Sequence, residues 1–512
     1  MYKSKTSIHV LLILSIAALL LSSCKTQNSN DEKNKNPNII YVLADDLGYG
    51  DLNCFNENGK ISTPNLDKLA TEGMMFRDAH TSSAVCTPTR YGILTGRYNW
   101  RSKLKKGVLN GRSKALIPTN RETVATMMKK SGYSTAFIGK WHLGWNWSKD
   151  ENNSIDFSQP VINSPNDNGF DYAYGHSGSL DMPPYVYVEN GISTAIPVDN
   201  TENNDAYAFW RKGLTAPDFI HDDVTPNFFR RANKYIKEQS KTEKPFFLYL
   251  PLPSPHTPIL PTEEWMGKSG LNPYGDFVMM VDYYMGELLK TIEEAGIEDN
   301  TLVIFTSDNG CSPKANFPYL ESKGHNPSYI YRGHKADIFE GGHRVPFIVK
   351  WPGVIEDGSA CDQTICTTDL IATCASIVNY KLNDRSAEDS FDMLSLFRDP
   401  LSDEYSRNAI VHHSINGSFA IRKGDWKYIL CPGSGGWSYP RPKKVTSDMP
   451  PFQLYNLKED PGEQNNLLGQ YPEVETELRQ LLTDYIKNGR STPGAPQEND
   501  PVDKWPQLKW MK

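Results

Sequence analysis

Two apolar runs, each closed by acidic side chains, constrain the fold of this chain more than any other feature. The first runs from Asn38 to Ala44 and is followed by Asp45-Asp46-Leu47-Gly48. The second covers Leu302 to Thr306 and ends in Ser307-Asp308-Asn309-Gly310. A continuous apolar run followed by turn residues is typical of a strand buried on both faces of a parallel sheet. The pattern predicts an α/β fold in which polar side chains collect at strand ends.

Helix signals lie between the apolar runs. Thr63-Pro64 predicts a helix start, with Thr63 as N-cap and Pro64 in the first turn. Thr119 and Glu122 form a candidate capping box, and Asp276 is a candidate cap for a helix through Phe277 to Glu294. Alternating strands and helices predict a large domain with a mostly parallel central sheet flanked by helices.

The character of the sequence changes after about Asn383. Ser418 to Leu430 alternates apolar and polar residues, as a half-buried antiparallel strand does, and Pro472 to Lys487 has the pattern of one amphipathic helix. We therefore predict a catalytic domain over residues 37–383 and a smaller C-terminal α+β domain with an antiparallel sheet over residues 384–512.

The N-terminus has the features of an export signal. A basic start precedes an apolar run from Ile8 to Leu21, which is too short to span a bilayer. The following Ser22-Ser23-Cys24 resembles a bacterial lipobox, which implies that residues 1–23 are removed and Cys24 is lipidated. Residues 24–36 are polar and predict a flexible tether. The expected location is the cell envelope, on the periplasmic or outer-membrane face, with membrane contact through the lipid alone; the alternative is an ordinary signal peptide.

The overall charge limits the partners. The formal net charge of −7 makes nucleic acid a poor partner, so an anionic substrate must be held by a local group of cations. The eight cysteines contain no CxxC pair, which disfavours a structural zinc site.

Four oxygen-bearing side chains follow the two predicted buried strands: Asp45, Asp46, Asp308 and Asn309. In an open α/β sheet, ligands bind outside the carboxyl ends of the strands. A set made only of carboxylate and amide oxygens favours Ca²⁺ or Mg²⁺. The alternative is that these residues only form turns.

Several further polar residues stand at helix starts or strand ends. Pro88 predicts a helix that begins near Cys86, where the backbone N–H groups together with Arg90 would suit a tetrahedral anion. A capped helix with a buried cysteine is the alternative. The other candidates, each after a strand-like run, are Lys140, His142, His256 and Lys335.

Taken together, these motifs resemble the type I sulfatases of the alkaline-phosphatase-like superfamily. The resemblance extends from about Pro37 to Leu467 and keeps the order of the family's motifs. Its elements are Asp45-Asp46, Cys86-x-Pro88-x-Arg90 with Leu94-Thr95-Gly96-Arg97, Gly139 to Gly144, Pro255-His256-x-Pro258, Ser307 to Gly310, the segment around Lys335, Ala420 to Gly424, and Leu454 to Pro461.

The resemblance implies a mechanism. Cys86 would be oxidised to formylglycine by a maturation enzyme, and its hydrate would attack the sulfur of a sulfate ester. His142 would take a proton from the nucleophile, and His256 with Lys335 would stabilise the leaving oxygen. Arg90 and Lys140 would offset developing charge. Cys86 itself would join Asp45, Asp46, Asp308 and Asn309 as a ligand of one Ca²⁺.

The sequence leaves two alternatives to this function. One is a phosphatase or phosphodiesterase of the same superfamily, and the other is a non-catalytic lipoprotein that binds sulfated glycans.

The substrate is expected to be a sulfated glycan, cleaved by exo action on galactose or N-acetylgalactosamine sulfate. The segment Gly178 to Tyr185 resembles a stretch of arylsulfatases and of the galactosamine-sulfate branch. Asp171, His176 and Asp181 are the candidate contacts to sugar hydroxyls, and the alternative is that they only shape the loop.

Overall fold

The two apolar runs are neighbouring strands at the centre of a ten-stranded sheet, in a computed structural model that describes residues 36–500, 505 and 507–511. The strands are β1 (Asn38–Ala44), β2 (Met74–Phe76), β3 (Ala79–His80), β4 (Ser134–Lys140), β5 (Tyr172–His176), β6 (Val188–Glu189), β7 (Ile192–Ser193), β8 (Asp199–Asn203), β9 (Trp210–Thr215), β10 (Phe246–Pro251), β11 (Thr301–Ser307), β12 (Phe347–Lys350), β13 (Ser359–Cys361), β14 (Ile365–Cys366), β15 (Ile410–His413), β16 (Phe419–Lys423), β17 (Trp426–Ile429) and β18 (Gln453–Asn456).

The large sheet has the strand order β13-β2-β12-β11-β1-β10-β4-β5-β6-β7. The strands β11, β1, β10, β4 and β5 are parallel neighbours, so their carboxyl ends lie along one edge. Every residue of β1, β10 and β11 is buried, which explains why these strands are uninterrupted apolar runs. This mostly parallel sheet confirms the predicted α/β class.

Helices separate most of these strands. They are α1 (Pro64–Thr71), α2 (Cys86–Thr95), α3 (Val124–Lys130), α4 (Val224–Gln239), α5 (Pro273–Glu294), α6 (Phe317–Ser322), α7 (Glu340–His343), α8 (Leu370–Ile377), α9 (Leu394–Arg398) and α10 (Pro472–Lys487). The predicted starts of α1 and α2 and the full extent of α10 agree with the structure.

Two helix starts differ from the prediction. Thr123 caps α3, and it forms the capping box with Thr126, so Thr119 and Glu122 lie before the helix. Asn272 caps α5 through its side chain, whereas Asp276 lies in the first turn and accepts hydrogen bonds from the backbone of Gly267 and Ser269. In both cases a second side chain with capping ability lay nearby, and tertiary contacts decided between the two.

The C-terminal region contains the predicted antiparallel sheet, with the order β15-β16-β17-β18. The segment predicted as one strand over Ser418 to Leu430 is a hairpin, because Gly424 adopts φ 55° and turns the chain between β16 and β17. Residues Asn38–Lys512 form one compact unit, and the division at residue 383 stays a prediction.

The N-terminal predictions concern a different part of the chain. The signal segment, Cys24 and nearly all of the tether lie outside the described residues. Within the described residues, no helix combines the length and the apolar character that a membrane span requires. The seven cysteines there are unpaired thiols.

Candidate active site

The carboxyl ends of the parallel strands bring the predicted site residues together. Asp45 and Asp46 follow β1, Asp308 and Asn309 follow β11, and Lys140 ends β4. All five side chains are almost completely buried. The structure therefore places at one sheet edge residues that are up to 264 positions apart in the sequence, from Asp45 to Asn309.

Three carboxylates face three cations in this cluster. The ammonium group of Lys140 forms an ion pair with Asp45, and that of Lys335 lies 2.6 and 2.7 Å from the two carboxylate oxygens of Asp46. Arg90 donates from Nε to Oδ2 of Asp308 at 2.9 Å. The positive and negative charges balance, which allows six ionic side chains to remain buried together.

The pKa values follow from this pairing. Burial raises the pKa of Asp45, but Lys140, His256 and Arg90 together hold it well below its usual range. Burial and the neighbouring charge of Asp45 raise the pKa of Asp308. Burial opposes ionisation of Lys335, but Asp46 raises the pKa of that ammonium group.

The oxygen set fits a hard divalent cation. Oδ1 of Asp45 and Oδ1 of Asn309 are buried and have no hydrogen-bond partner in the described structure. Ligand atoms of Asp45, Asp46 and His256 lie within 4.8 Å of one another. A buried oxygen without a partner is costly, and a coordinated cation would satisfy both oxygens. A third carboxylate lies in the same group, because Oδ1 of Asp308 accepts a hydrogen bond from the backbone N–H of Asp46 at 3.2 Å.

Cys86 is the first residue of α2, and its side chain is buried next to this cluster. Burial raises the pKa of its thiol to about 11, although Lys140 and Lys335 oppose the shift, so the unmodified thiol is not an activated nucleophile. Arg90, one turn along the same helix, donates from Nη1 to the carbonyl of Lys140 at 2.9 Å. The helix ends at Thr95, and the following Gly96 adopts φ 62°.

Two histidines complete the centre. Nε2 of His142 donates to the carbonyl of Leu109 at 2.8 Å, which leaves Nδ1 as the basic nitrogen, and this atom has no partner among the described residues. Nδ1 of His256 donates to the carbonyl of Thr257, and Nε2 lies 3.6 Å from Asp46. Burial, with Lys140 beside His142 and Lys335 beside His256, lowers the pKa of both rings.

A cavity of about 770 Å³ opens directly above Cys86. Its volume lies within the range of about 300–1,000 Å³ typical of small-molecule sites. The residues that line it are Val85, Cys86, Val108, His142, Ser179, Asp181, Met182, Phe209, Arg211, His256, Thr257, Ser312, Pro313, Lys314, Lys335, Ile415, Trp437 and Arg441. Four of the predicted catalytic residues, namely Cys86, His142, His256 and Lys335, therefore share this cavity.

The three predicted sugar contacts have different positions. Asp181 lines the cavity, pairs with Arg211, and keeps a buried Oδ1 without a hydrogen-bond partner in the described structure. His176 ends β5 and stacks on Phe228 with ring centroids 5.7 Å apart, and it is not among the residues that line the cavity. Asp171 precedes β5 at the opposite edge of the sheet, where it pairs with Lys129 at 2.7 Å. The strand itself separates Asp171 from the cavity.

Other residues of the site carry weaker sequence signals. Ser179 accepts a hydrogen bond from Lys140 at 2.7 Å and lies 3.5 Å from Nε2 of His256, so it links two of the predicted catalytic side chains. It belongs to the segment Gly178 to Tyr185 that the sequence singled out. Arg211, Trp437 and Arg441 come from β9 and from a long loop, and no local pattern marks them.

The family model described as Sulfatase matches residues 37–380, which include the complete buried cluster. This chain belongs to the sulfatase family. It is therefore an enzyme that hydrolyses sulfate esters.

Three relatives illustrate how far the similarity of this sulfatase extends. An N-acetylgalactosamine-6-O-sulfatase of Bacteroides thetaiotaomicron is 35% identical over 505 residues, which cover 90% of this chain and 96% of the relative. Human arylsulfatase A is 31% identical, with 87% of each chain covered. A solved 6S-sulfatase structure described under glycosaminoglycan metabolism by B. thetaiotaomicron has a TM-score of 0.77 at 33% identity, covering 88% of this chain and 99% of that chain.

Proposed function

We propose that this sulfatase removes sulfate from the terminal galactose or N-acetylgalactosamine of a sulfated glycan, using a formylglycine made from Cys86 and one calcium ion. The observation that carries the proposal is the shared cavity of Cys86 and Asp181. The free Oδ1 of Asp181 is a buried acceptor without a partner in the described structure, and a sugar hydroxyl can donate to it.

The residues of the chain divide the chemistry among them. His142 would take a proton from the nucleophile at position 86 through Nδ1, because its other nitrogen is already engaged as a donor and both residues line the cavity. Lys335 and His256 flank the same cavity and stabilise the oxygen of the leaving sugar. Arg90 and Lys140 lie deeper in the cluster and offset the charge that develops on the sulfuryl oxygens.

The calcium site would use Asp45, Asp46, Asp308 and Asn309, with the group at position 86 completing the set. The ion would act as a Lewis acid toward a sulfate oxygen. The two unpartnered oxygens of Asp45 and Asn309 support this assignment. A maturation enzyme of the cell would supply the formylglycine.

The nature of the sugar rests on two kinds of support. One similar protein is named an N-acetylgalactosamine-6-O-sulfatase. The net charge of −7 disfavours docking along a long sulfated polymer, which favours exo action on a chain end. Export with lipidation at Cys24 would place the enzyme at the cell envelope, where oligosaccharides are met.

A substrate panel with one matched pair of variants tests the proposal. Matured enzyme is given sulfated galactose, N-acetylgalactosamine and glucosamine, together with an aryl sulfate. Asp181→Asn should lower kcat/KM on the preferred sugar by about 10–100-fold, because a hydrogen bond to a charged group contributes about 1.5–3 kcal/mol, and the loss on the aryl sulfate should be smaller.

Asp171→Asn is the control, because Asp171 lies at the opposite edge of the sheet, and it should leave kcat/KM within about twofold. Turnover of the aryl sulfate alone, or a clear preference for glucosamine sulfates, would contradict the substrate assignment.

A further inference from the structure

The cavity above Cys86 carries cations in addition to those of the buried cluster. Lys335, with Arg90 and Lys140 beneath it, lies next to Cys86, and each of these three cations is paired with a carboxylate of the cluster. Three more cations stand further out, from three separate segments: Arg211 on β9, Lys314 after β11, and Arg441 in the loop before β18. All three are exposed at the rim.

The rim cations differ in how far they are neutralised. Arg211 pairs with Asp181. In the described part of the chain, neither Lys314 nor Arg441 forms an ion pair with a carboxylate. Among the described residues, Arg441 donates from Nε to the carbonyl of Trp437 at 2.6 Å, and neither terminal nitrogen of its guanidinium has a hydrogen-bond partner there. An acidic protein thus keeps two uncompensated cations at the entrance of its cavity.

The remaining wall is apolar. Val108, Met182, Phe209 and Ile415 line it, and Trp437, which is 36% exposed, lines the same cavity as Arg441. An aromatic ring offers a surface for the C–H face of a sugar, and a guanidinium in the same cavity offers two parallel donors to an anion. The apolar wall and the cationic rim together suit a sugar with charge at its periphery.

We propose that the rim of this cavity, formed by Lys314 and Arg441, is a subsite for a second anionic group of the substrate. The group is either a second sulfate on the same sugar or the carboxylate of a neighbouring uronate, since a guanidinium binds both as a two-pronged acceptor. Arg211 holds Asp181 in place for the sugar hydroxyl. The proposal rests on the glycan substrate proposed above and adds the charge that the glycan must carry.

The experiment compares substrates that differ only in the second anion. The first pair is an N-acetylgalactosamine-sulfate–glucuronate disaccharide and its carboxyl-reduced counterpart. The second pair is a disulfated and a monosulfated N-acetylgalactosamine. The third pair is an aryl sulfate with and without a ring carboxylate. For each pair the ratio of the two kcat/KM values is measured for the wild type and for the double variant Lys314→Gln, Arg441→Gln.

We expect the wild type to prefer the more anionic member of at least one sugar pair by about 5–30-fold, and the double variant to bring that ratio close to one through a higher KM. The first pair reports a uronate and the second pair reports a second sulfate. The control Lys212→Gln, Lys443→Gln removes the same charge from exposed lysines that do not line the cavity, and it should keep the wild-type ratios. A preference that disappears in 0.5 M salt would agree with a rim-exposed subsite.

Ratios near one in the wild type, or ratios that the double variant leaves unchanged, would overturn the subsite. An equal fall in the control would assign the effect to overall charge and would overturn it as well. The aryl pair separates the two proposals: if no sugar is turned over, the glycan assignment fails, whereas a carboxylate preference that the double variant abolishes still supports the subsite.

Discussion

Two neighbouring groups of buried side chains each combine three carboxylates with three cations. The first is the reaction centre, namely the buried cluster at the carboxyl ends of the parallel strands. The second group, here called the histidine cluster, consists of Asp78, His80, Glu340, His343, Arg344, His412, Arg422, Lys427 and Glu463, all buried or nearly so. The two clusters are close neighbours, because Gly310 donates to the carbonyl of Gly342 at 3.0 Å. A Cβ on Gly310 would lie 1.9 Å from the carbonyl of Gly341, so only glycine allows this approach.

Most polar atoms of the histidine cluster pair with one another, although Nε2 of His412 has no hydrogen-bond partner in the described structure. Lys427 lies 3.0 Å from Nε2 of His343, whose Nδ1 lies 3.1 Å from Nδ1 of His80, and Nε2 of His80 lies 2.9 Å from Asp78. One direction of donation, from Lys427 through both rings to Asp78, satisfies these three contacts with neutral histidines. Arg422 binds both oxygens of Asp78 at 2.8 Å.

Proximity of histidines does not make this cluster a metal site. Ring nitrogens of His80, His343 and His412 lie within 4.8 Å of one another. However, the rings of His343 and His412 are stacked 3.7 Å apart at 9°, and a metal ion must lie close to the plane of each imidazole that binds it. Two stacked parallel rings share no such point, and Lys427 adds an adjacent positive charge.

The comparison shows that a buried balance of charges does not identify a catalytic site. The reaction centre differs by opening onto a cavity and by leaving the oxygens of Asp45 and Asn309 and the Nδ1 of His142 without partners in the described structure. In the histidine cluster most polar side-chain atoms form hydrogen bonds or ion pairs with one another. The first cluster should therefore determine activity and the second stability.

The largest effect is expected at Cys86. Cys86→Ala removes the thiol that the proposed maturation needs, so no formylglycine would form and kcat/KM should fall on the order of 10⁴–10⁶-fold while the melting temperature stays close to the wild type. Sulfate release from the matured enzyme and the mass of the peptide that spans residue 86 are the measurements. Activity close to the wild type in this variant would remove the proposed mechanism.

Removal of calcium should have the second-largest effect, and it should act on the reaction centre and not on the histidine cluster. Chelation should abolish turnover, and added calcium should restore it and stabilise the fold by about 2.7 kcal/mol at a hundred times Kd. Asp45→Asn and, independently, Asn309→Ala should lose this calcium-dependent rise in Tm.

Glu340→Gln is the matched variant in the histidine cluster. It should keep the calcium-dependent rise in Tm, although its Tm without calcium is lower than that of the wild type. An enzyme that stays fully active after its metal content has been measured as zero would contradict the assignment.

Glu340→Gln itself should lower the free energy of unfolding by about 3–5 kcal/mol, because it leaves Lys427, 3.0 Å away, without one of its buried partners. Urea unfolding provides the measurement, and kcat per folded molecule should change less than about threefold. As a control, Glu477→Gln breaks a surface pair with Lys423 and should cost less than about 1 kcal/mol. Similar costs at the two positions would show that burial of the histidine cluster is unimportant.

The smallest effect concerns pH. Burial is the main cause that lowers the pKa of His80, His343 and His412 in the folded protein, whereas in the unfolded chain they titrate near 6.5. The unfolded state therefore binds more protons below that pH, and stability should fall from pH 7 to pH 5, by about 1.4 kcal/mol per pH unit for each such histidine.

His412→Asn keeps the donor to the carbonyl of Thr81 but removes one titrating group. The plot of the free energy of unfolding against pH should therefore become less steep, by the slope that one bound proton contributes. Urea titrations at several pH values measure the slope. Parallel curves for the variant and the wild type would show that His412 is not held neutral.

The sequence by itself determined the parts that depend on local pattern. The uninterrupted apolar character of β1 and β11 fixed two buried parallel strands, and the residues after them had to emerge at one sheet edge. Pro64 and Pro472 fixed two helix starts. The order of the motifs around Cys86, Lys140, His256 and Lys335 was sufficient for the family, which the comparison with known sulfatases confirms.

Only the tertiary structure decided which polar residues face the cavity. Asp171 and Asp181 look alike in sequence, yet β5 runs between them and carries one to each edge of the sheet, because a strand advances about 3.3 Å per residue in a single direction. Arg211, Lys314 and Arg441 meet at the rim from segments more than 100 residues apart, and no local pattern specifies such a meeting. Spacing along the chain carries information about neighbours in helices and strands, whereas long-range burial depends on how those elements pack.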